Sequence, residues 1–245
     1  MENKFQEYSH KNTHFYYSDI PLLLESAIKN INHKDFTLLD LGCGDGRWLY
    51  VLQQRGLLTR AKEVVGVDLS PVRIKIVKRN IKSVKTIISD ACSVKELKNK
   101  SFDFVICSNL IEHVKNDELL LSEIKRVLKD DGVVYFSSVI KKWYGTYIYK
   151  VDGKSRLDPT HLREYSSKKQ FLELLRRMNF IPIKFKITPL KHSVFVFILK
   201  ITIRLNLMKP DRRFFLKHSI LNKIHKMSML PIMGYQSIEV FAKHQ

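Results

Sequence analysis

The sequence predicts an α/β fold built on a doubly wound parallel sheet, and three observations carry that expectation. Apolar runs recur at 37–41, 63–68, 86–89, 102–108 and 133–139 with helix-like stretches between them, the alternation of a parallel sheet. The first run, Leu38-Leu39-Asp40-Leu41, breaks into Gly42-Cys43-Gly44-Asp45-Gly46, three glycines at alternate positions. The second, Val64-Val65-Gly66-Val67, ends in Asp68, at the distance of about 20 residues where a ribose-binding carboxylate belongs in a βαβ unit.

The glycines come first in the argument. Lacking a Cβ, they let the backbone adopt conformations closed to other residues and let a ligand lie against the peptide groups. The stretch 48–55 that follows supplies a helix whose N-terminus points at that ligand. The spacing is Gly-x-Gly-x-Gly, not the Gly-x-Gly-x-x-Gly of nicotinamide and flavin sites, which disfavours a dehydrogenase.

Further elements follow in order. Ser70 before Pro71 is an N-cap with proline at the first helical position, predicting a helix over 71–80. Leu120, Leu121, Ile124, Val127 and Leu128 form a helical stripe over 119–128 that packs on the sheet. Ser167, three residues before Gln170, has capping-box spacing and predicts a helix over 167–178. Strand character returns at 180–188, where Ile183, Phe185 and Ile187 alternate with lysines, and again at 237–242.

With 245 residues, the chain is long enough for one well-packed domain with decoration and too short for two of ordinary size. A net charge of +19 points to an anionic partner, whether nucleic acid, a phosphate-bearing substrate or an acidic membrane surface, unless it reflects the host's general protein composition. Cys43, Cys92 and Cys107 lack Cys-x-x-Cys spacing and read as reduced core residues. Residues 1–19 are polar and aromatic with no apolar stretch, so no signal peptide is expected and a cytoplasmic setting follows.

Over 36–140 these pieces resemble, in register, the class I S-adenosylmethionine (SAM) dependent methyltransferases of the small-molecule, ubiquinone-biosynthesis type. The matching segments are 38–46, 64–70, Ile87-Ile88-Ser89-Asp90-Ala91, the run 102–114 ending in Glu112-His113-Val114, and 128–134. The resemblance implies a mostly parallel, seven-stranded Rossmann-like sheet. It also implies a SAM site made by Asp40, Gly42, Gly44, Gly46, Asp68, Leu69, Asp90, Ala91 and Asn109. There the glycine loop lies under the methionine part, Asp68 meets the ribose hydroxyls and Asp90 the adenine amino group. Both acids also suit plain strand-end turns.

In the resemblance, 36–188 and 236–245 form the SAM-binding domain, and 180–188 and 237–242 are its last two strands. Residues 189–235 are a helical insertion between those strands, both apolar and basic. Lys200, Arg204, Lys209, Arg212, Arg213, Lys217, Lys223 and Lys226 stand there against one acid, Asp211. Its apolar runs are too short for a bilayer span, which needs about 20 residues. The segment reads either as an interfacial arm on anionic lipid or as a helical lid over the site. The cap segment 1–35 carries Tyr8, His10, Phe15, Tyr16 and Tyr17, which either close over SAM and acceptor or pack the domain's edge.

Methyl transfer to oxygen needs alignment and a base. His113, after the fourth strand, and His161, after the fifth, are the candidate bases; each also suits a bracing role in its loop. Trp143, Tyr147, Asp158 and Arg163, in the long segment 141–165 leaving the sheet's carboxyl end, are candidate acceptor contacts. No His/Asp/Glu cluster has ligand spacing, so no metal is expected. Ser108-Asn109-Leu110-Ile111 lacks the Asn-Pro-Pro-Tyr pattern of amino methylation on nucleic acid bases. The expected reaction is therefore SAM-dependent methylation, on an oxygen of a small, lipid-linked or glycan-linked acceptor. The alternatives are an RNA-directed methyltransferase using the basic insertion, and a SAM-binding module that has lost catalysis.

Overall fold

A computed structural model describes residues 16–17, 19–31, 34–151, 153–208 and 213–245. Tyr8, His10, Phe15, Lys209, Asp211 and Arg212, all singled out in the sequence, lie outside the described residues.

Seven strands make one sheet: β1 (Phe36–Leu41), β2 (Ala61–Asp68), β3 (Lys85–Ile88), β4 (Phe102–Ser108), β5 (Leu128–Lys141), β8 (Phe180–Ser193) and β9 (Met229–His244). Their order across the sheet is β3-β2-β1-β4-β5-β9-β8. The first five pair in parallel, and β9 runs antiparallel to both β5 and β8. A separate hairpin joins β6 (Tyr149–Val151) to β7 (Lys154–Arg156).

Helices cover both faces. Strand side chains alternate, so β1 sends Leu39 and Leu41 to one core and Phe36 and Leu38 to the other. The first core receives α4 (Asp117–Val127) and α5 (Lys168–Arg177); the second receives α1 (Leu22–Lys29), α2 (Arg47–Gln54) and α3 (Pro71–Asn80). Each fully buried leucine or phenylalanine in these layers contributes about 1.5–3 kcal/mol.

Helix starts follow the local chemistry. Ser70 Oγ accepts from the Arg73 N–H at 3.4 Å ahead of Pro71, and Asn116 Oδ1 accepts from the Leu119 N–H at 3.1 Å. Ser167 Oγ accepts from the Gln170 N–H, but Gln170 Oε1 accepts from the N–H of Ser166 and not of Ser167. The capping box thus closes one residue early.

The segment expected as a helical insertion over 189–235 starts later and ends sooner. After a register shift at Pro189, β8 continues pairing to Ser193, opposite Met229 of β9. Among the described residues, three helices lie in the interval between these strands: α6 (Val194–Arg204), α7 (Phe214–Lys217) and α8 (Ser219–Met227). Ser193 Oγ caps the first of them through the Val196 N–H. No described helix is long and apolar enough to cross a membrane.

Candidate active site

The glycine loop leaves β1 with Gly42, Gly44 and Gly46 at φ 75°, 55° and 77°, the left-handed region that side-chain-bearing residues rarely adopt. Two of the three are also closely packed. A Cβ on Gly42 would stand 2.7 Å from Leu110 Cδ1, and one on Gly46 would stand 3.0 Å from Val77 Cγ2. Around Gly44 the nearest heavy atom to such a Cβ is Arg73 Nη1 at 3.8 Å, so this residue offers its open side.

Asp68, almost fully buried at the end of β2, ties this loop down. Its Oδ2 accepts from the Gly44 N–H at 2.9 Å and its Oδ1 from the Ser70 N–H at 2.8 Å. Burial raises its pKa, against the opposing charge of Arg73. Asp40, beneath the loop, is buried with no hydrogen-bond partner for Oδ2 among the described residues. Burial, then the neighbouring Asp68 charge, pushes the Asp40 carboxyl up to about 8. The folded state therefore keeps a proton that the unfolded chain loses at about pH 4, so stability falls as pH rises between about 4 and about 8. We expect the melting temperature of the free protein to decline from about pH 5 to about pH 8. Asp40→Asn should flatten that slope; a wild-type and variant difference constant across the range would contradict the assignment.

At the carboxyl end of β4, Ser108 Oγ accepts from Trp48 Nε1 at 3.0 Å and meets Ser137 Oγ at 2.8 Å. Asn109 follows at φ 48°, its Oδ1 accepting from Ser137 Oγ at 3.4 Å. The chain then turns through Glu112, fully buried, whose Oε2 accepts from Ser138 Oγ at 3.0 Å while Oε1 has no partner among the described residues.

The two candidate bases meet here. The His113 and His161 rings lie edge to face, 4.7 Å between centroids. Thr160 Oγ1 donates to Asp158 Oδ1 at 2.6 Å, so it faces His113 Nδ1, 3.0 Å away, as an acceptor; His113 therefore carries its proton on Nδ1. Burial, then the nearby His161, drives the His113 pKa down to about 4. This corrects the expectation of a His113 base titrating near neutrality: desolvation keeps it an uncharged ring. His161 Nδ1 lies 2.9 Å from Glu164 Oε1, with both side chains buried. Sequence reasoning overlooked Glu164, although its i,i+3 spacing from His161 was the available signal.

Glu112, His113 and His161 offer ligand atoms all within 4.8 Å of one another, a set able to hold a metal ion. Sequence spacing shows no such cluster because His161 comes from a different loop, brought over by packing.

The remaining predicted contacts separate. Arg163 donates to the carbonyls of Ile111, Val114 and Lys115 at 3.1, 2.7 and 2.6 Å. Its guanidinium thus braces the 111–115 loop, and this corrects its assignment as an acceptor contact. Trp143 is 94% exposed and its ring meets Tyr144 edge to face. Tyr147 stays near, its hydroxyl 2.6 Å from His192 Nδ1. Asp158 accepts from both the N–H and the hydroxyl of Thr160, holding the loop that carries His161. Asp90, exposed, accepts from the Cys92 N–H at 2.9 Å in a turn beside buried Ala91, and Leu69 is 39% exposed next to Asp68.

Two aromatic residues from the amino-terminal segment overlie the loop. The Tyr16 hydroxyl donates to the Asp45 carbonyl at 2.5 Å, and its ring stacks on Tyr50. Tyr17 stacks on His225 of α8, with Arg47 above its ring at 5.0 Å.

Residues 39–136, which run from β1 through this loop to β5, match the model of the methyltransferase domain family. This stretch is similar to a methyltransferase domain. It is 27% identical over 136 residues to a ubiquinone biosynthesis O-methyltransferase of Coxiella burnetii, covering 54% of this chain and 56% of that one. A ubiquinone biosynthesis O-methyltransferase of Pelagibacter ubique is 29% identical over 122 residues, covering 49% and 48%. The chain thus spans about half the length of the curated relatives it matches. Among solved structures, a SAM-dependent methyltransferase of Methanosarcina mazei superposes with a TM-score of 0.61 at 15% identity, over 92% of this chain and 98% of that one. One from Thiobacillus denitrificans, in complex with S-adenosylhomocysteine, gives 0.59 at 13% identity over 99% and 98%. The methyltransferase fold therefore extends to β8 and β9, beyond the residues the family model matches.

Proposed function

We propose that this chain transfers the methyl group of SAM to an oxygen of a small acceptor, lipid-linked or glycan-linked, presented beside an anionic membrane surface. The observation that carries this reading is the His161–Glu164 pair, buried at the carboxyl end of the sheet.

The residues of the loop suit SAM. Gly44 leaves its outward side open, and the buried Asp40 carboxyl has an unpartnered oxygen suited to an ammonium group. Asp68 is the carboxylate for the ribose, Asp90 and Ala91 flank the adenine, and Leu69 and Asn109 complete the contacts. When bound, SAM supplies a methyl on a positive sulfur that departs as a neutral thioether. What the chain must add is alignment, which can supply several kcal/mol of the barrier, and removal of the hydroxyl proton. His161 Nε2 is the atom assigned to that proton. His113, uncharged, accepts a hydrogen bond from the acceptor through its own Nε2.

The insertion supports the second half of the reading. On α6 and the following turn Phe197, Ile198, Leu205 and Leu207 are 54%, 53%, 63% and 74% exposed, and on α8 Ile220 and Met227 are 72% and 87% exposed. Lys191, Lys217 and Lys223 accompany them, and the one acid in 189–235, Asp211, lies outside the described residues. Exposed apolar side chains among lysines suit the headgroup boundary of anionic lipid. The same segment reaches toward Tyr147, whose hydroxyl lies 2.6 Å from His192 Nδ1.

The test combines vesicle flotation with transfer from labelled SAM. Binding to anionic vesicles that persists at high salt, with label entering the lipid-linked fraction of a cell extract, is the expected result. Binding abolished by salt, with label in RNA, would replace it by the polyanion reading that the +19 charge favours. Label in no fraction, with SAM still bound, would leave a cofactor-binding module without catalysis.

A further inference from the structure

We infer that Glu164 is a positioning residue that holds His161 as its Nδ1–H tautomer, leaving Nε2 as the atom that receives the acceptor proton. The inference rests on the methyl-transfer reading for its catalytic consequence, and on geometry alone for the tautomer.

Glu164 sits where a structural ion pair would be poorly made and a histidine clamp well made. Its Oε1 lies 2.9 Å from His161 Nδ1 and accepts from the Leu157 N–H at 2.7 Å; its Oε2 accepts from the Tyr235 hydroxyl at 3.4 Å. Among the described residues, the cations near it, Lys141 Nζ at 4.0 Å and Arg156 Nη1 at 3.9 Å, approach no closer than the outer limit of an ion pair. Lys141 Nζ is given instead to the Ser155 carbonyl. The carboxylate and the ring are 1% and 4% exposed, so water does not compete for the bond between them.

A carboxylate can only accept, so the proton on this bond belongs to His161 Nδ1. The other ring nitrogen then presents a lone pair beside His113 and the unpartnered Glu112 Oε1, away from the clamp. In the transfer step the acceptor oxygen forms a bond to the methyl carbon as the sulfur–carbon bond breaks. The hydroxyl proton passes to His161 Nε2, and the Glu164 carboxylate pairs with the imidazolium until the proton leaves to water. Tyr235, on β9 where it rejoins the sheet after the insertion, fixes the second carboxylate oxygen and prevents the clamp from swinging away.

The test uses the full chain with nitrogen-labelled histidine, read by long-range nitrogen–proton NMR, with His161 assigned through His161→Asn. In the wild type the His161 pattern should be that of a ring protonated on Nδ1. Glu164→Ala should mix the tautomers and lower transfer of labelled methyl to cell extract by roughly 10- to 100-fold, the range for removing a partner that orients a functional histidine. Glu164→Gln keeps an acceptor oxygen on Leu157 and His161 but not the charge that pairs with the imidazolium, so it should keep the tautomer and recover part of the rate; it also guards against a misfolded alanine variant. A wild-type ring protonated on Nε2 would overturn the inference. So would loss of rate in Glu164→Ala with the tautomer unchanged. Wild-type protein that transfers no label to any fraction would overturn the methyl-transfer reading, while the NMR pattern still decides whether Glu164 sets the tautomer.

Discussion

Asp68→Ala is expected to weaken SAM binding by about 100-fold or more in calorimetry and to lower the melting temperature of the free protein. The carboxylate accepts from two backbone N–H groups, of Gly44 and Ser70, in a nearly water-free pocket. Each donor left buried without a partner costs roughly 1–3 kcal/mol. One of those donors is in the loop itself, so the cost falls on the loop conformation that the cofactor needs, in addition to the lost ribose contact. Asp68→Asn should be intermediate, because an amide satisfies one donor and opposes the other. Affinity within a few-fold of wild type in the alanine variant would show that Asp68 is only a strand-end turn residue.

His161→Ala should do the reverse, leaving SAM affinity unchanged while transfer of labelled methyl falls by about 100- to 10,000-fold, the usual contribution of a positioned base. Its neighbour provides the control. His113 is uncharged, its Nδ1 held at Thr160, so His113→Ala should cost no more than about 10-fold, the loss of one neutral hydrogen bond. Equal losses from the two substitutions would mean that the pair acts as one unit, as expected if both nitrogens ligate a metal with Glu112.

The glycine loop and the elements around it were legible because their chemistry is local. Gly42 to Gly46, the acid ending β2 and the Ser70-Pro71 helix start each follow from neighbours within a few positions, and α3 begins and ends at the residues the pattern predicts. The acceptor half was not, because it is made by packing across about 50 positions of sequence. Glu112 meets the 158–164 segment only after that segment folds back over β4 and β5, with the Leu162 N–H donating to the Glu112 carbonyl. Arg163 looked like a ligand contact for the same reason: nothing nearby in sequence shows that three loop carbonyls await it. The insertion's bounds were misplaced because a proline-marked register shift resembles a strand end, yet β8 pairs beyond it.

The position of β9 fixes the order of assembly. Residues 229–244 lie between β5 and β8, so a nascent chain lacking them has two bare strand edges and no partner for either. The parallel strands and both faces of helices are synthesised first, but the sheet closes only when this segment arrives and threads the gap. Until then the β5 edge, with Val134, Phe136 and Ile140 behind it, is the surface most exposed to wrong pairing. Removing 229–244 would therefore aggregate the protein rather than trim it.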